Sequence, residues 1–283
     1  MKKMTVLGIV LMLAIALGVA GTSAAKEWKT VRVATEGAYP PWNATDASGK
    51  LYGFDIDVIN EVCQRSGLEC EITAHAWKGI IPGLTAGKYD CIIAGMQTTH
   101  KRLKVIDFAG PYAKTPGSFA ALKTSSLVKF KSAPDRVTLN DISPAEQSVL
   151  DELLKLLDGK VIGVQTTTTH SNFLDQYFSK VATIRKYDSQ ENVLLDLKAG
   201  RIDAAEASLS YWVPIMEKEQ GQDIALFGPA WTGDIFGLGN GIGVRKQDPE
   251  LKAIFNKALK SLREDGTLQK MAVKWFGFDN SPK

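Results

Sequence analysis

Along this chain, short runs in which apolar and polar residues alternate take turns with stretches whose apolar residues recur every three or four positions. Residues 31–35 alternate and then meet Gly37, Pro40 and Pro41, so a strand is expected to run into a loop. Asp55 is expected to cap a helix that carries Ile56, Ile59, Val62 and Cys63 on one face and ends near Gly67. Residues 71–74 read as a strand, 80–86 as a helix closed by Gly87, and 90–94 as a further strand. This is the order of a doubly wound, mostly parallel sheet.

The order recurs downstream. Strands are expected at 161–164, 183–187 and 202–205, with helices at 171–178 and 189–199, the latter between Ser189 and Gly200. One turn is spelled almost identically in both passes, as Leu84-Thr85-Ala86-Gly87-Lys88-Tyr89-Asp90 and Leu197-Lys198-Ala199-Gly200-Arg201-Ile202-Asp203. In each copy a glycine suits a left-handed helix end, and a cation lies just past the negative end of the helix. Residues 31–37 and 161–167 are likewise matched strand-plus-loop segments. Two similar α/β lobes are implied, and the cleft between them is where function is to be sought.

Proline and glycine cluster in 108–119 and 228–243, which suits two crossovers between lobes. The expected division is 26–113 with 236–283 as one lobe and 114–235 as the other, joined by a two-strand hinge. Residues 124–160 are extra in the second lobe. There Ser143-Pro144-Ala145-Glu146 is a capping box, and Leu150, Leu153, Leu154 and Leu157 follow at helical spacing. A last helix at 248–264 carries Leu251, Ile254, Phe255, Ala258, Leu259 and Leu262 on one stripe. With Trp275 and Phe276 it is expected to pack onto the first lobe.

The N-terminus adds a compartment. Lys2 and Lys3 precede an apolar stretch over 6–20 and small residues at 21–25, the pattern of a cleaved secretory signal (1–25) with a mature start near Lys26. The stretch falls short of the ~20 residues of a spanning helix, so an exported, soluble, monomeric product is expected. Without Lys2 and Lys3, 34 − 2 = 32 basic residues face 31 acidic ones. That balance argues against nucleic acid and anionic membranes as partners. In an oxidising compartment Cys63 and Cys70 read as a disulfide, and Cys91, in an apolar run, as a buried free thiol. His75, His100 and His170 share no ligand spacing, so neither a metal nor another cofactor is expected.

Ligands of such sheets sit at the carboxyl ends of strands. At one such end lies Gly95-Met96-Gln97-Thr98-Thr99-His100-Lys101-Arg102, where a threonine cap is followed by basic residues instead of acids. Cations in a first helical turn oppose the helix dipole. A bound anion would explain them, with Arg102 clasping a carboxylate beside exposed amides. Glu36 and Tyr39, a carboxylate with an aromatic behind it, suit a cationic group, and Trp77 could be a second aromatic wall. Glu206 is either a further anionic contact or an exposed acid. The threonines at 166–169 supply a helix cap and hydroxyls. Neither Ser171 beside His170 nor the glycines at 237–241 make a recognisable catalytic or nucleotide motif.

Several segments together resemble family-3 periplasmic solute-binding proteins, the receptors of polar amino-acid ABC importers. They are Gly53-Phe54-Asp55-Ile56-Asp57-Val58, the Cys63 and Cys70 pair, Gly79-Ile80-Ile81-Pro82-Gly83-Leu84, Arg102 and Asp265-Gly266-Thr267. Ala34-Thr35-Glu36-Gly37, the second-lobe insertion, Phe227-Gly228-Pro229 and Trp275-Phe276-Gly277 are most similar to the opine branch, next to the lysine/arginine/ornithine and histidine receptors. The resemblance implies the two-lobed (type II) periplasmic binding fold, no enzymatic activity, and permease and ATPase partners. It places a ligand, an opine of the octopine or nopaline kind or a basic amino acid, among Glu36, Tyr39, Trp77, Ala94, Gly95, Gln97, Arg102, Gln165, Thr169, His170 and Ser208, with Thr169 as the capping threonine. Ser208 stands where the amino-acid receptors have an Asp for the ligand's ammonium, which fits the secondary amine of an opine. Thr167 replaces a usual glycine, and Glu206 adds a charge. The alternative is a periplasmic dehydratase on the same fold, acting on a small carboxylate.

Overall fold

The computed structural model describes residues 27–282. The expected signal segment and its cleavage point lie outside them. Two sheets organise the molecule, one of five strands and one of six, and each is entered the same way. In the first, Thr30–Thr35 is flanked in parallel by Glu69–Ala74 and Cys91–Ile92. In the second, Val161–Gln165 is flanked in parallel by Thr183–Tyr187 and Ala204–Ser208. Beside the third strand of each lies an antiparallel one, Asn240–Val244 in the first sheet and Gly117–Leu122 in the second. The sheets are therefore mixed, because a chain that passes between two sheets must enter each once against the prevailing direction.

Those passages are short. The chain leaves the first sheet after Asp107–Ala113 and joins the second at Gly117, then returns between Ile224–Thr232 and Asn240. Both expected crossovers thus consist largely of strand, with the actual passages at 114–116 and 233–239.

The twice-spelled turn is the same object twice. The amides of Ala86 and Ala199 donate to the carbonyls of Pro82 and Leu195, and those of Gly87 and Gly200 to Leu84 and Leu197. Gly87 has φ 73° and Gly200 φ 66°, left-handed values that a Cβ would penalise. Each turn then hands its Asp to a strand start: the carboxylate of Asp90 accepts from the Arg32 amide at 3.0 Å, and that of Asp203 from the Val161 amide at 2.8 Å.

Helices cover both faces of each sheet, since strands buried on two sides need apolar cover on both. Phe54–Ser66, Pro249–Glu264 and Thr267–Phe276 enclose one core of the first lobe, with Leu251, Phe255, Leu259 and Leu262 inside it as the stripe requires. Trp77, Ile80, Leu84 and Tyr89 cover the other face. In the second lobe Pro144–Leu156 is the expected decoration, opened by a complete Ser143–Glu146 capping box. Leu209–Met216 was not legible, because it is apolar all round and carries Pro214. Cys63 and Cys70 form a disulfide, and Cys91 is a buried free thiol.

Two expected caps move. Gly53, at φ 129°, occupies the position before Phe54–Ser66, where a Cβ would strike the Trp42 carbonyl. Asp55 is therefore inside the first turn, fully buried, accepting from Asn43 (2.8 Å) and the Tyr112 hydroxyl (2.7 Å). In the second lobe Thr168 caps Thr169–Tyr177 by accepting from the Ser171 amide at 2.9 Å, so Thr169 is the first helical residue.

Candidate functional site

The carboxyl ends of the two sheets face each other across a tight cavity of about 30 Å³. Lining it from the first-lobe side are Glu36, Tyr39, Trp77, Ala94, Gly95, Gln97 and Arg102, and from the other Gln165, Thr169, His170 and Ser208. The eleven residues that the resemblance placed around a ligand thus line one cavity, and Glu206 does not line it. Trp42, Thr115, Thr168, Gln190 and Asn240 line it as well and were missed. Trp42 follows the Pro40-Pro41 turn, Thr115 and Asn240 lie in the two proline- and glycine-rich crossovers, and Gln190 follows the cap Ser189. Each is adjacent to a local sequence signal, but nothing in sequence aims a side chain from a loop.

Local chemistry explains the positions. The loop after Thr30–Thr35 is pinned by Asn43, whose carbonyl accepts from the Gly37 amide at 2.7 Å and whose amide donates to Asp55. A small sheet of Ala38–Tyr39, Asn43–Thr45 and Leu51–Tyr52 then fixes Tyr39 and Trp42. Arg102 sits in the short helix His100–Leu103, capped as expected by Thr99, which accepts from the Arg102 amide at 3.1 Å.

Polar groups meet across the cavity. The Tyr39 hydroxyl and Ser208 Oγ are 2.8 Å apart, Ser210 Oγ reaches Ser208 at 3.2 Å, and Trp42 Nε1 donates to Ser210 at 3.1 Å. Gln165 donates to the Glu36 carboxylate, Trp77 Nε1 to the Thr166 carbonyl at 3.1 Å, and Tyr39 stacks on Tyr211 at 5.1 Å. These contacts join the two lobes.

Two charges are left without an opposite partner. Arg102 donates to the carbonyls of Gln97 (2.8 Å) and Thr167 (3.4 Å) and lies 5.4 Å from the Trp77 ring, but pairs with no carboxylate among the described residues. Burial alone lowers its pKa to about 10. Glu36 is buried with Gln165 as its side-chain donor. Burial, eased by that hydrogen bond and reinforced by the charge of Asp55, raises it to about 7. Buried charges usually find an opposite charge or give up their ionisation. A cavity with an anion seat at one point and a cation seat at another suits a molecule carrying both charges.

Glu206 is neither exposed nor directed to solvent. It is completely buried, 2.7 Å from His170 Nδ1, and burial raises its pKa against the opposing influence of His170. Thr167 adopts φ 57°, left-handed for a β-branched residue, which is why a glycine is the easier choice there. Among the described residues no group of acids, histidines and cysteines could hold a metal ion, and no helix is long and apolar enough to cross a membrane.

Comparison with known proteins agrees with this geometry. The family described as bacterial extracellular solute-binding proteins, family 3, matches residues 31–278. The octopine-binding periplasmic protein of Rhizobium meliloti is 38% identical, the match covering 93% of this chain and 95% of that protein. The lysine/arginine/ornithine-binding periplasmic protein of Escherichia coli (strain K12) is 35% identical over 96% of each. Among solved structures, an ancestral arginine-binding protein bound to arginine superposes with a TM-score of 0.73 at 31% identity, covering 88% of this chain and 98% of that one. A periplasmic His/Glu/Gln/Arg/opine family-binding protein from Silicibacter pomeroyi, in complex with lysine, gives 0.69 at 33% identity, over 89% and 100%.

Proposed function

This chain belongs to the bacterial extracellular solute-binding proteins of family 3, and on that premise we propose that it is a periplasmic receptor that traps an opine or a cationic amino acid between its lobes. Residues 26–113 with 236–283 form one lobe and 114–235 the other, and the trapped ligand is delivered to the permease and ATPase of an ABC importer. The observation that carries the reading is the pair of unmatched charges in one cavity, Arg102 for a carboxylate and Glu36 for a cationic end. The relatives described above, named for octopine and for lysine, arginine and ornithine, point to the same class.

In this reading Arg102 holds the α-carboxylate, joined by amides of the Gly95 to Thr99 loop. Trp77 and Tyr39 sandwich the aliphatic and guanidinium portion, and Glu36 neutralises its charge. Lobe closure excludes water, so both ion pairs act at a lower effective dielectric than they would at the surface. Ser208, engaged with Tyr39 and Ser210, supplies no negative charge to an α-ammonium. The nitrogen of an opine is also cationic but bears a second carboxylate of its own, which supplies the missing charge and favours an opine.

Calorimetric titration of Arg102→Ala with arginine and octopine tests the reading. Loss of a buried charge-assisted contact is expected to weaken both by about 100-fold or more. Retention of near wild-type affinity would overturn it. The dehydratase alternative is tested by turnover of whichever compound raises the melting temperature. A receptor returns it unchanged, in keeping with relatives named as binding proteins.

A further inference from the structure

Glu206 is a puzzle for a cavity that takes carboxylates, since a bare buried anion at its edge would repel them. Its strand, Ala204–Ser208, runs through the middle of the second sheet, and both carboxylate oxygens are enclosed with no side-chain partner besides His170. His170 Nδ1 lies 2.7 Å from Oε2, close enough to share a proton, although neither atom completes a well-aligned hydrogen bond. The place is built for this pair. A Cβ on Gly117 would come within 2.5 Å of Glu206 Oε1 and 2.6 Å of the Phe236 ring, and Phe236 in turn packs edge-on against His170 at 5.5 Å.

We propose that His170 and Glu206 form a second acid-recognition subsite, in which Glu206 is the positioning residue that makes His170 Nε2–H a donor to a second carboxylate on the ligand. The inference rests on the reading that this cavity binds a carboxylate through Arg102. With one proton shared between them and one on Nε2, the pair is neutral overall. It is either imidazolium with carboxylate or imidazole with carboxylic acid, and both arrangements keep the proton on Nε2. Nδ1 is enclosed, so the free edge of the ring is what the cavity meets. The ligand class is therefore an amino acid whose α-nitrogen bears a carboxyalkyl arm, with Arg102 taking one acid and His170 the other.

Loss of the shared proton reverses the preference. The pair then carries a negative charge and Nε2 becomes an acceptor, which rejects a second carboxylate. The surroundings leave this titration to the pair and the cavity. Gly117 and Ser118 on the adjacent strand do not ionise, Asp175 on the His170 helix is exposed and pairs with Lys186, and Asp234 beside Phe236 is exposed. Across the cavity stand Arg102, Glu36 and Tyr39, whose phenol is influenced by the charges of Glu206 and Glu36.

Octopine is arginine with a carboxyethyl arm on its α-nitrogen, so the ratio of the two affinities isolates the second acid from effects of Glu36, which both ligands share. Titration calorimetry of the mature chain from pH 6 to 8.5 is expected to show octopine preferred by about tenfold or more at the acid end, as one charge-assisted hydrogen bond allows, with the preference shrinking as pH rises. In His170→Gln, which keeps an uncharged donor and leaves no imidazole to titrate, the ratio should become independent of pH. Glu206→Gln, which withdraws the negative charge that holds the shared proton, should move the loss of preference to lower pH and serves should the first variant fail to fold. An octopine-to-arginine ratio that is flat with pH in the wild type, that keeps its slope in folded His170→Gln, or that keeps its midpoint in folded Glu206→Gln, overturns this inference while leaving the receptor reading intact. Failure of the wild type to bind either compound overturns both.

Discussion

The two copies of the Ala-Gly-basic-x-Asp turn share their hydrogen bonds almost atom for atom, yet their aspartates live in different company. Asp203 is exposed and accepts from the Val161 amide. Asp90 is buried and accepts from the Arg32 amide and guanidinium and from Arg245, which also meets Asp248 at 2.7 Å. The first copy has become a closed ionic network because the returning strand Asn240–Val244 pairs beside Cys91–Ile92 and brings Arg245, the residue after it, against Asp90. The second remains a surface turn. Local sequence set the turn in both places, and tertiary neighbours set what its Asp contributes.

The largest effect should come from removing that difference. Asp90→Ala leaves buried Arg245 with Asp248 as its remaining acid, beside the Tyr89 carbonyl, and should cost about 3 kcal/mol in urea unfolding. Asp203→Ala, which removes one partly exposed hydrogen bond, should cost about 1 kcal/mol or less. Equal losses would mean that the turn, and not its burial, decides.

Acid titration sharpens the contrast next. Burial pushes Asp90 upward, but Arg32 and Arg245 outweigh it and hold its pKa at about 2. Its contribution is present above the unfolded value near ~3.9 and is lost as pH falls toward about 2. Glu36 and Asp55, both raised to about 7 chiefly by burial, act in the other direction. Their contribution is complete below the unfolded values and is lost as pH rises through about 7. The ligand-free protein should therefore be more stable at pH 5 than at pH 8 in denaturant titrations. Asp55→Asn should reduce that difference, and an unchanged slope would remove Asp55 from the account.

The smallest effect concerns the matched loops after Thr30–Thr35 and Val161–Gln165. Gly37 at φ 74° and Thr167 at φ 57° hold equivalent left-handed positions, but only one is a glycine. Thr167→Gly should raise the unfolding free energy by about 1 kcal/mol by releasing that strain. Gly37→Thr should be destabilising, since its Cβ would also come within 2.9 Å of Thr45 Oγ1. If Thr167→Gly gains stability but loses ligand affinity, the strained carbonyl that accepts from Arg102 belongs to the binding apparatus.

The strands, most helices, the capping box at Ser143, the disulfide and the second-lobe copy of the turn were all legible, because each is written in a local pattern of alternation, periodicity or spacing. The caps at Asp55 and Thr169 were misread by one or two positions. In both cases several polar residues competed for one role: the distant Tyr112, with Asn43, claimed Asp55, whereas among adjacent threonines a bond from the Thr168 hydroxyl to the nearby Gln165 carbonyl accompanies the choice of Thr168. Leu209–Met216 was hidden because its half-buried face, Leu209, Val213 and Met216, is as apolar as its buried one, which erases the periodicity.

By itself the sequence determined two repeated α/β lobes, the family, and the residue types gathered at the strand ends, since periodicity, turns and strand-end position are local properties. Tertiary structure alone decided which charges go unpaired. Whether Arg102 meets a carboxylate, whether Glu36 keeps its proton and whether Glu206 faces water or His170 depend on atoms dozens of residues away. Their distance and shielding from water set the strength of every such interaction.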